Sequence, residues 1–309
     1  MDATPKTLIE AVRFFSDLDR CNEYMKGIKW PDGAIACPKC GGQRIGEIKT
    51  RKMLRCKGCR KQFSYKVGTI FEDSPLGLDK WFVAVWCITS AKNGISSYEL
   101  SRALGITQKS AWHMLHRIRV ALSAGNFSGK LSGTVEADET FVGGKAKNMH
   151  KAERARKIKG RGAVGKTIVQ GVLQRGGMVI AGVVQDSKRK TLQPNVRASV
   201  EAGASIYTDA LRSYEGLEDE YLHDTVDHAK EYVRGDVHTN GMENFWSLLK
   251  RCLNGTYISV MPWHLCRYVD EQVFRFNERK LSDGERFDVA MAGVVGNRLT
   301  YTDLVELNR

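Results

Sequence analysis

The chain has 309 residues, enough for two or three domains, and a hydrophobic fraction of 42% that supports at least one sizeable core and excludes a disordered or fibrous protein. Its 48 Lys and Arg outnumber 35 Asp and Glu, and the resulting charge of +13 points to a polyanionic partner, nucleic acid first. No apolar run approaches the ~20 residues of a membrane helix, and the segment from Met1 to Phe15 carries acids and lacks a signal-peptide core. A cytoplasmic protein without a membrane partner is therefore expected, and in that compartment clustered cysteines point to metal rather than disulfides.

Residues 1–30 predict a helical lead-in, with Leu8, Val12, Phe15 and Leu18 at helical spacing. Residues 31–70 lose that period and carry Cys37-Pro-Lys-Cys40 and Cys56-Lys-Gly-Cys59, two Cys-x-x-Cys turns fifteen residues apart. Two such turns joined by a hairpin supply four thiolates in a tetrahedron, so Cys37, Cys40, Cys56 and Cys59 are expected to hold a structural Zn²⁺. A redox dithiol explains one pair but not both. Arg51, Lys52, Arg55, Lys57, Arg60 and Lys61 surround the second pair and suit either phosphate contact or a solvated hairpin face. The remaining cysteines, Cys21, Cys87, Cys252 and Cys266, sit among apolar residues and read as core.

Residues 75–122 predict a helical DNA-binding domain. Asp79–Lys92 reads as a buried helix, and residues 95–119 as two helices broken at Gly105 with Thr107 capping the second. In a helix-turn-helix the second helix offers Gln108, Lys109, Ser110, His113 and Arg117 to DNA, with Arg119 further along; an ordinary helical hairpin is the alternative. Beyond a linker at 123–133 the pattern turns to strands: Thr134–Val142, then Thr167–Gln174 and Met178–Asp186 around the hairpin signal Arg175-Gly176-Gly177, then Ala204–Thr208. Helical patterns dominate from Gly241 onward. Residues 130–285 are assigned to a catalytic domain and 286–309 to a C-terminal tail. Between Lys145 and Lys166 lie nine Lys or Arg and one acid, a loop in which Lys145 and Lys147 are candidate DNA contacts.

Three stretches of the second half carry candidate carboxylates. Strand alternation places Glu136 and Asp138 on one face of 134–142 and Glu139 on the other. Asp209 ends a short apolar strand, or else caps a following turn. Glu243 shares a helical face with Ser247 and Lys250, beside an apolar stripe of Met242, Phe245, Leu249 and Cys252, although Asn240-x-x-Glu243 also reads as a capping box. Metal-dependent phosphodiester chemistry needs carboxylates from separate elements around one point, because Mg²⁺ prefers hard oxygen ligands.

The paired cysteines, the two-helix motif, ADETFVGGK, YTDALRSY, and HTNGMENFWSLLKR followed by RYVDEQVFRFNER together resemble the zinc-ribbon DDE insertion-sequence transposases, the ISXO-like group, from about residue 15 to residue 280. The resemblance implies an α+β multidomain chain: an N-terminal zinc ribbon and helix-turn-helix, then an RNase H-like α/β catalytic domain. It implies a triad of Asp138, Asp209 and Glu243 on Mg²⁺ or Mn²⁺, with Lys250 as the accompanying base on DNA, and support from His238 and Asn240. It also implies binding to terminal inverted repeats and target DNA, cleavage and strand transfer, and a homo-oligomer that synapses two ends. A DNA-binding regulator, such as a domesticated inactive relative, or a metal-dependent nuclease is the alternative.

Overall fold

The computed structural model describes residues 5–124, 129–144, 149–157, 164–209, 211–226 and 237–306. The chain divides into two compact units, residues 1–125 with 278–309, and residues 126–277. No helix of the described residues is long and apolar enough to cross a membrane.

The first unit opens with α1 (Leu8–Phe15) and α2 (Leu18–Lys29), capped by the side chains of Thr7 and Asp17. Ala11, Phe15, Cys21 and Met25 are fully buried, whereas Leu8, Val12 and Leu18 of the expected apolar stripe stay exposed. A three-stranded antiparallel ribbon follows, β1 (Ile45–Ile48), β2 (Met53–Cys56) and β3 (Gln62–Phe63), in the order β1-β2-β3. Helix α3 (Leu78–Ser90) buries Trp81, Phe82, Val85, Trp86 and Ile88. α4 (Ser97–Leu104) starts at a Ser96/Glu99 capping box and ends at Gly105, whose φ of 62° is the left-handed conformation that lets the chain turn directly into α5 (Gln108–Ala124). Thr107 accepts from the Ser110 N–H at 3.1 Å, the expected cap.

The second unit is built on a five-stranded sheet. β4 (Thr134–Val142) is its central strand, and α6 (Lys151–Lys157) lies between it and the antiparallel hairpin β5 (Thr167–Gln174) and β6 (Val179–Val184). After α7 (Arg189–Ser199), β7 (Ser205–Asp209) and β8 (Leu222–Val226) add in parallel on the other side of β4. The order is β6-β5-β4-β7-β8. α7 covers one face, where Leu192 and Val196 pack with Val135, Ala137, Val172 and Ile206. α8 (Asn240–Arg251) and α9 (Leu265–Asn277) cover the other, where Met242, Phe245, Leu249, Val269 and Val273 meet Val169, Leu173 and Val179.

The structure corrects the expected tail. α10 (Asp283–Ala292) and α11 (Tyr301–Glu306) return to the first unit, and Phe287 is fully buried there. Its ring lies 5.2 Å from Phe15, 5.5 Å from Trp86 and 6.4 Å from Phe82, and Tyr24 donates to Asp288 at 2.7 Å. Residues 286–309 are polar enough to read as a tail, but the few apolar side chains they carry complete an aromatic core begun more than 200 residues earlier.

Candidate active site

β4, the central strand, carries its acids Glu136, Asp138 and Glu139 around its midpoint. Asp138 pairs with Gly171 of β5, and the parallel register with β7 runs to Ala137↔Thr208, so one further step sets Asp209 beside Asp138 on a neighbouring strand roughly 4.8 Å away. Gly171 is required there: a Cβ would stand 2.4 Å from the Met242 methyl and 2.8 Å from the Trp246 ring. Its absence lets α8 approach the sheet, and Trp246 Nε1 donates to Asp138 Oδ2 at 2.9 Å.

An open cavity of about 440 Å³ is lined by Asp138, Glu139, Thr140, Glu243, Trp246, Ser247 and Lys250. Glu243, Ser247 and Lys250 are exposed along one face of α8, while Met242, Phe245 and Leu249 are buried behind them, as the helical period requires. Asp209 is not among the lining residues, and its Oδ1 accepts from the Leu211 N–H at 3.1 Å. Asp209 nevertheless acts on the site through its charge. Burial, then the Asp209 carboxylate, push the Asp138 carboxyl up to about 6, with Glu243 adding to the push and Trp246 opposing it. Burial likewise raises Glu139 to about 8, against the hydrogen bond it accepts from Tyr214. Tyr214 sits just beyond Asp209, so this bond ties the segment following β7 to β4.

Among the described residues, only the four cysteines bring three or more potential ligand atoms within 4.8 Å of one another. Asp138, Glu139 and Glu243 share a cavity, and Asp209 acts on Asp138 through its charge, without the carboxylates closing on one point. The cysteines do close: Cys37 Sγ lies 3.6 Å from Cys59 Sγ, and Cys40 Sγ 3.7 Å from Cys56 Sγ. Tetrahedral Zn–S bonds of about 2.3 Å put sulfurs about 3.8 Å apart, so the cluster fits a structural zinc ion with no open position.

The second helix of the two-helix motif holds its predicted contacts unevenly. Ser110 and Lys109 are exposed, with the Lys109 ammonium 4.6 Å above the Tyr301 ring, and Gln108 donates to Ser97 at 2.8 Å. His113 is half-buried 5.6 Å from Tyr301, and burial lowers its pKa. Arg117 is a correction: only 5% exposed, it donates to the Glu72 carbonyl and stacks over Trp81 at 5.3 Å. Burial lowers its pKa to about 10. Arg119, at 1% exposure, is buried too. The middle of α5 is enclosed by α3, α4 and α10, so its basic residues there face the protein. Arg51, Lys52, Arg55, Lys57, Arg60 and Lys61 of the ribbon are all exposed. Lys145 and Lys147 lie outside the described residues.

The expected capping box at Asn240 does not form. The helix begins one residue earlier, at an N-cap Thr239 that makes no side-chain cap, and the Met242 N–H is taken instead by Glu136. Arg175, Tyr214 and Trp246 are the contributors that the sequence did not mark for this site, whereas Glu136 stood among the candidate acids of the strand. Each of the three is placed by sheet register or helix approach.

Residues 130–277 match the family model of the ISXO2-like transposase domain, and residues 17–62 that of the transposase zinc-ribbon domain. A protein of Halobacterium salinarum, described as an uncharacterized protein in transposable element ISH50, is 29% identical over 259 residues, which cover 79% of this chain and 85% of that protein. An uncharacterized transposase-like protein of Haemophilus influenzae is 31% identical over 100 residues, 32% of this chain and 80% of the relative. No solved structure matches the chain. With a ribbon whose cysteines close on a metal-sized space and a domain match spanning the whole of the second sheet, the chain belongs to the ISXO2-like transposases.

Proposed function

We propose that this transposase binds the terminal inverted repeats of an insertion sequence and catalyses metal-dependent DNA cleavage and strand transfer at the cavity between β4 and α8. The single observation that carries this reading is the placement of Asp138, Asp209 and Glu243. Asp138 lies midway along β4, Asp209 ends the adjacent parallel strand β7, and Glu243 projects from the helix packed over the sheet, near enough for both other charges to raise the Asp138 carboxyl. The order β6-β5-β4-β7-β8, an antiparallel meander extended by two parallel strands, supports an RNase H-like catalytic domain.

The donor set fits a hard divalent cation. Burial and the neighbouring Asp209 and Glu243 carboxylates oppose the charge of Asp138, and a cation relieves both. Asp138, Asp209 and Glu243 would hold Mg²⁺ or Mn²⁺, which when bound activates an oxygen nucleophile and neutralises the leaving oxygen of a phosphodiester. Lys250, exposed on the cavity rim, meets a DNA phosphate. Trp246 orients the Asp138 carboxylate through its indole N–H. The attacking group is water for cleavage and the freed 3′-hydroxyl for joining.

DNA recognition falls to the first unit. α4 and α5 form a helix-turn-helix whose exposed Lys109 and Ser110, with the half-buried Gln108 beside them, approach base edges, and the ribbon's basic side chains hold phosphates. Lys145 and Lys147 add phosphate contacts. Two ends must be held together for joining, so the working form is a homo-oligomer.

The test incubates protein, terminal-repeat DNA and Mg²⁺ or Mn²⁺, comparing wild type with Asp209→Asn. Cleavage followed by joining in the wild type is expected, with the variant falling to the uncatalysed background while still binding DNA. Cleavage without joining favours a nuclease. Binding without chemistry in the wild type leaves a DNA-binding regulator and overturns the proposal.

A further inference from the structure

Glu136, like Glu139, is an acid of β4 that the metal reading leaves unused. It is 1% exposed, and both of its carboxylate oxygens are engaged. Oε1 accepts from Arg175 Nε at 2.9 Å, and Oε2 accepts from the Met242 N–H at 2.9 Å. Met242 lies in the first turn of α8, where a helix leaves N–H groups without intrahelical acceptors. α8 is thus capped from the neighbouring strand and not by its own N-cap side chain.

Arg175 extends the same grip to the segment before the helix. Its Nη2 donates to the His238 carbonyl at 2.9 Å and lies 2.9 Å from His238 Nδ1, while its guanidinium stacks over Tyr207 at 4.8 Å. The approach is closed by Gly241, where a Cβ would come within 2.8 Å of Glu136 Oε2 and 3.0 Å of the Leu173 side chain. A carboxylate is favoured at a helix N-terminus, and the ion pair offsets the penalty of burying it.

Glu136 and Asp138 share one face of β4, and Met242 and Glu243 are adjacent in α8. We propose that Glu136, held by Arg175, is a positioning residue that latches the first turn of α8 to β4 and so sets where the Glu243 carboxylate stands relative to Asp138. The inference rests on the reading of Asp138 and Glu243 as cation-binding groups.

The test uses the full chain and compares wild type with Glu136→Met, Glu136→Gln and Arg175→Gln. Mn²⁺ binding is followed by electron paramagnetic resonance, amide exchange by mass spectrometry, and terminal-repeat affinity without divalent cation by fluorescence anisotropy. Glu136→Met and Arg175→Gln are expected to weaken Mn²⁺ binding by about 10- to 100-fold, the usual effect of losing a partner behind a metal ligand. Faster exchange is expected only in the first turn of α8, with β5 exchange and DNA affinity unchanged. Glu136→Gln keeps an oxygen for Met242 and recovers part of the Mn²⁺ affinity; should Arg175→Gln fail to fold, the two Glu136 variants carry the comparison. Folded variants with wild-type Mn²⁺ affinity, or exchange that rises throughout the sheet, overturn the latch. A wild-type chain that binds no Mn²⁺ sinks the reading of the site itself, a result distinct from variants that bind it normally.

Discussion

Asp270 on α9 shows how a single side chain ties stability to pH. Burial pushes its carboxyl up to about 6, more than the Arg267 guanidinium 3.9 Å away pulls it down. The unfolded chain ionises this group near 4, so between about pH 4 and 6 the folded state binds more protons and stability falls as pH rises. Above 6 the full penalty is present. Asp270→Asn is therefore expected to stabilise the protein by about 1–2 kcal/mol at pH 7.5 and by little at pH 4, read from urea midpoints at the two pH values. A gain of equal size at both would refute the account. At this scale the candidate site was only partly legible. Asp138, Asp209 and Glu243 stand out as acids bordering apolar runs. Trp246, Tyr214 and Arg175 do not, because an indole, a phenol and a hairpin guanidinium signal packing or turn until a register brings a carboxylate to them.

Among the elements, the ribbon is the one whose four cysteines fit a structural zinc ion. Its three strands are short, of four, four and two residues, and they bury few large side chains besides Leu54 and Phe63. A module with so little core is expected to draw much of its folding free energy from a bound metal. Cys56→Ser, or a strong chelator, is expected to release about one zinc per chain and unfold residues 31–68, leaving the β-sheet signal of the second unit intact. Metal analysis beside limited proteolysis measures both; zinc loss without new cleavage in that segment would argue against it. The helices show where sequence patterns reach their limit. The Gly105 break and the Thr107 cap were legible because φ and capping are local chemistry. The burial of Arg117 was not, because the same basic face reads as solvent until α3 and α10 enclose it. For the same reason a capping box was expected at Asn240, where a distant Glu136 supplies the cap instead.

Across the whole molecule, the chain leaves its first unit, builds the second and returns. Phe287 arrives last yet stands among Phe15, Phe82 and Trp86. Deleting residues 278–309 is expected to expose that aromatic core and destabilise the first unit by at least the ~3–5 kcal/mol of one buried Phe lost to Ala, lowering its Tm while residues 126–277 keep theirs. A first-unit transition unchanged by the deletion, followed by calorimetry, would show that the return is dispensable. The sequence alone determined whatever is written in local spacing: the two cysteine pairs, the glycine-broken helices, the strands of the β5–β6 hairpin and the apolar stripe of α8. Those features follow from bond geometry, side-chain period and ligand chemistry within a few residues. Only the tertiary structure decided which acid meets which helix, which arginines lose solvent, and which unit the last thirty residues complete. Those outcomes depend on contacts between segments far apart in the chain, and no local period encodes them.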